Sequence, residues 1–254
     1  MARKIIEQRR GKPAGTPRRA PGSRIHAELA GGIGRLILDG TYPPGSLLPN
    51  EAEWGRRFHA SRPAVREAIK TLNGKGLLVS RPKIGSRVEP RERWNLLDRD
   101  VMGWHRAAMD ERSFLHALQE VRRLLEPGVA VLAAERRRPD QLIALEAALD
   151  AMRTAPDAQG MVEADVRFHL CLLNSANNEL LAPFGIIIEQ SLASMFDYTT
   201  RHTARPEHIL PLHADVVKAI AAQAPDAARK AMMALLDDTD EILGTSAGMA
   251  LKQA

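Results

Sequence analysis

Apolar side chains recur at helical spacing along most of the chain, and turn residues divide the pattern into short units. Ile25, Leu29, Ile33, Leu36 and Ile37 share one face of a helix predicted over 23–39, with Ser23 as its N-cap. Gly31, Gly32 and Gly34 lower the helix propensity of that segment, and Gly40 ends it before the turn Tyr42-Pro43-Pro44-Gly45. Asn50 and Glu53 have capping-box spacing and start a second helix that runs to about Phe58. After the turn His59-Ala60, Ser61 caps a third helix from Arg62 to about Asn73, with Pro63 tolerated in its first turn. Val65, Ile69 and Leu72 are its predicted buried stripe. Gly74-Lys75-Gly76 stops this helix, and Leu77-Leu78-Val79 and Ser86-Arg87-Val88 read as two short strands around the tip Arg81-Pro82-Lys83-Ile84-Gly85.

Beyond the hairpin the period is helical almost throughout. Trp94, Leu97, Val101 and Trp104 can share one face, so 94–104 is a structured connector. Ser113 can cap a helix to about Arg138 with the stripe Phe114, Leu118, Val121, Leu125, Val129 and Leu132, kinked at Pro127. Further helices are predicted over about 139–154, 160–176, 178–199, 209–223 and 225–245. The fold class is therefore mainly α: an N-terminal winged helix-turn-helix followed by an all-helical bundle.

Length and composition sharpen this picture. A chain of 254 residues suggests about two domains. The one cysteine, Cys171, excludes a disulfide framework and a cysteine-based zinc site, and fits a reducing cytoplasm. The longest charge-free apolar run, Leu180 to Ile188, is well short of the ~20 residues needed to cross a bilayer, so no membrane span is expected. Charge is unevenly placed. Residues 1–22 carry seven Lys/Arg against one Glu, and 23–93 carry thirteen basic against seven acidic residues. The remainder has sixteen basic and twenty-three acidic residues. A basic N-terminal third on an acidic remainder points to a polyanion-binding module. Residues 1–22, rich in Arg, Pro and Gly, read as a disordered tail, and 246–254 as a second tail.

Two groups of residues carry candidate chemistry. Arg62, Arg66 and Lys70 lie four apart, on one cationic face of the third helix, where they could enter a major groove or simply be a solvated face. The basic hairpin tip directly after that helix favours the first reading. On the predicted helix 160–176, Asp165 and His169 point to the same side among apolar neighbours, and His213 is the natural third member. The three can hold a divalent metal; a hydrogen-bonded carboxylate–imidazole pair in a polar core is the alternative. No Gly-rich phosphate loop or nucleophile elbow is present, so no enzyme chemistry is expected.

These residues carry a family resemblance. PGSLLPNEAE, SRPAVREAIKTL, GKGLL and the return strand Gly85 to Val88 resemble the DNA-binding domain of the GntR family of bacterial regulators, in its FadR-type branch. The resemblance implies that Arg62 and Arg66 contact bases or nearby phosphates, with Ser61, Lys70, Arg81, Lys83 and Gly85 completing the interface and the wing reaching the minor groove. Ala52 stands where some members carry a DNA-contacting arginine, and Lys83 where the wing tip often has glycine. LQEVRRLLEPGVAVLAAE, EADVRFHLCLLNSANNELL and LHADVVKAIAAQAPDAARKAMMALL resemble the branch's helical effector domain, known as FCD. Many of its members bind metal through one Asp and three His. Asp165, His169 and His213 match three of these, and the fourth position falls on Leu235, which cannot ligate; His202 or His208 could substitute. Arg122 matches an arginine facing the same cavity, and its other reading is a salt bridge to Glu126.

The connector RERWNLLDRDVMGWH and the missing last histidine are similar to members that respond to sugar acids, which implies a D-galactonate-like effector. The organisation expected is a tail (1–22), a winged helix-turn-helix (23–88), a connector (89–110), and an effector-binding and dimerisation domain (111–245). The resulting reading is a dimeric, cytoplasmic, ligand-responsive repressor on a symmetric double-stranded DNA operator. Its effector site is Arg122, Asp165, His169 and His213, with a divalent metal such as zinc on the last three. A metal-dependent enzyme would leave the winged helix unexplained. A nonspecific architectural DNA binder would leave the acidic helical domain without a task.

Overall fold

The structure is a computed structural model and describes residues 21–202 and 209–244. Residues 1–20 of the first predicted tail, the whole second tail and His208 lie outside the described residues, as does the side chain of His202, while Pro21 and Gly22, assigned to the first tail, are helical in the structure. The first unit contains α1 (Pro21–Leu38), α2 (Glu51–Arg57) and α3 (Arg62–Gly74), followed by the antiparallel pair β1 (Leu78–Arg81) and β2 (Gly85–Val88). Its register pairs Leu78 with Val88 and Arg81 with Gly85. The capping box at α2 is formed as expected: the Asn50 side chain accepts from Glu53 N, and Glu53 accepts from Asn50 N. At α1 the expectation was wrong, because the backbone is already helical at Pro21 and Ser23 lies inside the helix.

The glycines that weaken α1 have a packing role. A Cβ on Gly34 would lie 2.3 Å from Trp104 Cε3, and one on Gly32 would lie 2.7 Å from Phe58 Cε1. The bare backbone is what lets these two rings seat against α1. Ile33, Ile37, Trp54, Val65, Ala68, Leu72 and Leu77 are buried with them in one core. Leu36 and Ile69 are only half-buried and Ile25 is exposed, so the α1 stripe was two residues too generous and the α3 stripe one.

The connector is structured as expected, but its four apolar residues do not all lie on one helix. A 3₁₀ turn at Arg91–Arg93 comes first, and α4 (Arg99–Ala108) starts only at the Asp98 cap. Trp94, Val101 and Trp104 join the core of the first unit, while Leu97 and Met102 pack with Phe114, Leu118, Ile186 and Ile187. Lys75 ties the connector down, reaching Asp98 at 2.6 Å and Asp100 at 2.9 Å. Gly76 sits at φ +76°, where a Cβ would meet Arg93 O at 2.2 Å.

The second unit comprises α5 (Glu111–Arg136), α6 (Pro139–Arg153), α7 (Ala158–Ser175), α8 (Gly185–His202), α9 (Ile209–Ala221) and α10 (Pro225–Leu243). Asp110, not Ser113, caps α5, and Ser113 donates to it from the first turn. The helix runs on through Pro127. The predicted helix over 178–199 is divided: Glu179–Phe184 is 3₁₀ and α8 begins at Gly185. Pro183 has no N–H to continue an α-helical ladder and disfavours helical backbone at the residue before it. Glu179–Thr199 does have the length and hydropathy of a membrane span, contrary to the estimate from the charge-free run. Here it is broken at Gly185, and its Glu189 and Asp197 pair with Arg99 and Arg106 of α4, the pattern of a bundle helix.

Candidate effector site and DNA-binding face

The buried face of α5 only partly follows the apolar spacing: Phe114, Leu118 and Val129 are buried as predicted, but the face turns to include polar residues. Leu118, Arg122, Glu126, Val129, Ala130 and Ala133 form it, and Val121, Leu125 and Leu132 flank it. Arg122 can be buried there because Glu126 lies one turn on: Nε donates to Oε1 at 2.6 Å, and Nη2 lies 3.4 Å from Oε2. The salt bridge to Glu126 read from the i, i+4 spacing is thus formed, and it is buried. Asp165 and His169 project from α7, and His213 from α9. His213 Nε2 is 3.1 Å from Asp165 Oδ1, and His169 Nε2 is 3.4 Å from the same oxygen. The imidazole centroids are 5.5 Å apart, and Phe168 packs edge-on against both rings. Arg122 Nη2 reaches His169 Nε2 at 3.4 Å. Arg122 is 2% exposed and Glu126, His169 and His213 are 1% exposed, so all four sit beyond direct solvent. The structure thus brings together the four residues singled out by sequence, and adds Glu126 to them.

The hydrogen bonding defines which nitrogens face inward. His213 Nδ1 is 2.9 Å from the carbonyl of Ile209, one turn earlier, so this nitrogen carries the proton and Nε2 turns its lone pair to Asp165. His169 Nδ1 lies 2.8 Å from Glu126 Oε2, in ion-pair contact but off the line of a formed hydrogen bond. Its Nε2 faces Asp165 and Arg122. The ligand atoms of Asp165, His169 and His213 all lie within 4.8 Å of one another.

Charge accounting shows what such a cluster retains. With neutral histidines, two carboxylates face one guanidinium, and a buried negative charge is left over. Burial pushes the Glu126 carboxyl up, but Arg122 and His169 outweigh it and hold it at about 2. Burial likewise opposes ionisation of Asp165, yet His169 and His213 hold it far below the carboxylate range. Desolvation pulls His169 down, but Glu126 and Asp165 prevail and raise it to about 8. The site therefore favours one added positive charge, either a proton or a metal cation. Its donor set, one carboxylate and two imidazoles with both Nδ1 atoms turned to oxygen partners, fits a divalent ion. Leu235 is buried in the apolar core and offers no fourth ligand.

In the first unit, Ser61 caps α3 by accepting from Ala64 N at 3.4 Å. Arg62, Arg66 and Lys70 are exposed along α3, but two of them are partnered. Arg66 Nε bonds Glu51 at 2.8 Å, and Lys70 bonds Glu67 at 2.7 Å. The face is exposed as expected, and its ion pairs, being exposed, are weak and exchangeable. Asn73 donates to Ser80 Oγ at 2.9 Å and Ser80 contacts Ser86 at 2.8 Å, which locks the hairpin against α3. A groove of about 580 Å³ runs between them, lined by Asn50, Arg66, Lys70, Arg81 and Gly85. At the tip, Ile84 N donates to Arg81 O at 3.2 Å and Lys83 takes φ +67°, a conformation that suits glycine better.

A winged helix-turn-helix with a basic face, fused to a helical bundle around a buried polar cluster, defines a ligand-responsive DNA-binding regulator. Comparison with known proteins gives the family: the chain belongs to the GntR family of bacterial regulatory proteins, matched over 26–88, and carries an FCD domain over 117–238. It is 35% identical to the galactonate operon transcriptional repressor of Escherichia coli K12 over 206 residues, 80% of this chain and 90% of that one. It is also 35% identical over 219 residues to the uncharacterized HTH-type transcriptional regulator YieP of the same organism, covering 84% of this chain and 93% of that one. A solved structure of Lar, which controls the Listeria monocytogenes agr system, shares the fold at 17% identity and TM-score 0.54, covering 92% of this chain and all of the other. The named relatives are transcription regulators and not enzymes.

Proposed function

We propose that the chain is a dimeric, cytoplasmic repressor released from a symmetric operator by a sugar acid of the aldonate class. The reading divides the chain into a DNA-binding unit at 23–88, a connector at 89–110, and an effector and dimerisation unit at 111–245. The observation that carries it is the buried cluster of Arg122, Asp165, His169 and His213, which has the chemistry of a carboxylate and polyol site. A divalent ion held by Asp165, His169 and His213 would offer oxygen ligands a Lewis-acid anchor, with coordination positions left open by Leu235. Arg122 presents a guanidinium suited to a carboxylate. The similarity to the galactonate operon repressor supports D-galactonate as the first effector to try. Operator recognition falls to Arg62 and Arg66, with Ser61, Lys70, Arg81, Lys83 and Gly85 positioning the groove and wing.

The test is a thermal-shift screen of aldonates with and without zinc. An effector at 100 times its Kd adds about 2.7 kcal/mol of stability. A metal-dependent shift with D-galactonate or a close isomer is expected. No shift with any aldonate, with or without metal, would remove the sugar-acid assignment.

A further inference from the structure

We propose that Glu126 is the positioning residue of the effector site, fixing His169 with Nδ1 protonated and Nε2 turned to Asp165 and His213, while holding Arg122 by one edge of its guanidinium. The proposal deepens the reading of this cluster as an ion and carboxylate site and rests on it. Glu126 sits on α5, one turn from Arg122, and spans two elements, since His169 belongs to α7. Its two oxygens divide the work. Oε1 takes Arg122 Nε at 2.6 Å; Oε2 faces His169 Nδ1 at 2.8 Å and Arg122 Nη2 at 3.4 Å.

Two features set this apart from a stray buried ion pair. First, the inward histidines use the same device with different partners. His213 Nδ1 bonds the Ile209 carbonyl, His169 Nδ1 stands 2.8 Å from Glu126 Oε2 in ion-pair contact, and both Nε2 atoms converge on Asp165 Oδ1. A ligating imidazole needs its other nitrogen held in this way, which fixes both tautomer and ring orientation. Second, Glu126 contacts the Nε and Nη2 side of Arg122 and leaves the Nη1 hydrogens outside that contact. The guanidinium is thus anchored without being used up, so an anion can bind its remaining edge while Glu126 stays in place.

A role limited to charge balance makes a different demand from a positioning role. Aspartate preserves the charge but is one methylene shorter and cannot span Arg122 and His169 together. The experiment therefore compares the full-length wild type with Glu126→Asp and Glu126→Gln. Zinc affinity is read by competition with a chromophoric chelator, and His169 protonation by long-range ¹H–¹⁵N correlation on ¹⁵N-histidine protein, assigned with His169→Gln. The expected result is a loss of about 10–100-fold in zinc affinity in both variants. Wild-type His169 should be protonated at Nδ1 in the zinc-loaded protein, and also in metal-free protein at about pH 9.5, where neutral imidazole dominates. Wild-type zinc affinity in folded Glu126→Asp would overturn the proposal, as would a wild-type His169 protonated at Nε2. Should the wild type bind no zinc, the metal reading fails, and the metal-free spectrum still decides whether Glu126 sets the tautomer. If either variant does not fold, the wild-type spectra decide alone.

Discussion

Arg122 shows why substitutions at this site need care. Removing its side chain leaves Glu126, 1% exposed, without its guanidinium partner and with only the His169 imidazole beside it. Arg122→Ala is therefore expected to cost about 3–5 kcal/mol of stability, measured by urea denaturation. Arg122→Lys keeps the charge but loses the planar fork, so it isolates ligand recognition from folding. The histidine gives a pH signature. In metal-stripped protein, His169 is raised to about 8 in the fold. A raised pKa means the folded state holds the proton more tightly than the unfolded one. That stabilisation is full below the ordinary histidine range near 6.5 and is lost as pH rises through about 8. Glu126, held at about 2, acts in the opposite direction: its contribution is present above about 4.5 and is lost as pH falls towards 2. Denaturation midpoints at a series of pH values should thus fall on both sides of a plateau. A metal-free protein equally stable at neutral pH and above pH ~9 would contradict the charge accounting at His169. Sequence spacing alone put Asp165 beside His169. It did not put Glu126 in the site, because a charged pair at i and i+4 is by default exposed, and the packing of α7, α8, α9 and α10 around α5 buries this one.

At the scale of elements, local signals located most helices and misjudged what some of them are for. The capping box at Asn50 and the proline breaks at Pro139 and Pro225 fall where the structure starts α2, α6 and α10. The division before α8 was missed, since apolar spacing continues across Pro183 and Gly185 while the backbone does not. The glycines of α1 are the clearest case of tertiary structure overriding propensity. By propensity, Gly34→Ala should stabilise a helix by roughly 1 kcal/mol. The Trp104 ring 2.3 Å from the would-be Cβ reverses the sign, and a loss of about 1–3 kcal/mol is expected instead. Thermal denaturation of Gly34→Ala reads the direction directly, and a raised midpoint would refute the packing role. In α3, Arg66 and Lys70 were legible as exposed bases, but their partners Glu51 and Glu67 were not weighed. DNA phosphates and base edges must displace those carboxylates, a small cost for exposed pairs.

The whole molecule is arranged so that one helix meets both units. Through Lys75, Trp94, Val101 and Trp104 the connector is part of the DNA-binding unit's core. Through Arg99 with Glu189, and Arg106 with Asp197, α4 also grips α8 of the bundle. An effector changes operator affinity only if it binds one arrangement of these parts better than another, and α4 is an element that contacts both units. A symmetric operator calls for two such chains, so the full-length protein is expected to sediment as a dimer and residues 21–108 as a monomer; a monomeric full-length protein at micromolar concentration would argue against dimerisation through 111–245. The most direct test of the central claim is operator release. An operator selected from random DNA by the protein itself is titrated with D-galactonate in the presence of zinc, and binding is followed by fluorescence anisotropy for wild type and Arg122→Lys. The expected result is equal operator affinity for both proteins without effector, release of the wild type, and at least about a tenfold higher effector requirement for the variant, or about 1.4 kcal/mol. Wild-type protein that stays bound at saturating aldonate, or a variant released at the same concentration, would contradict the assignment of this site.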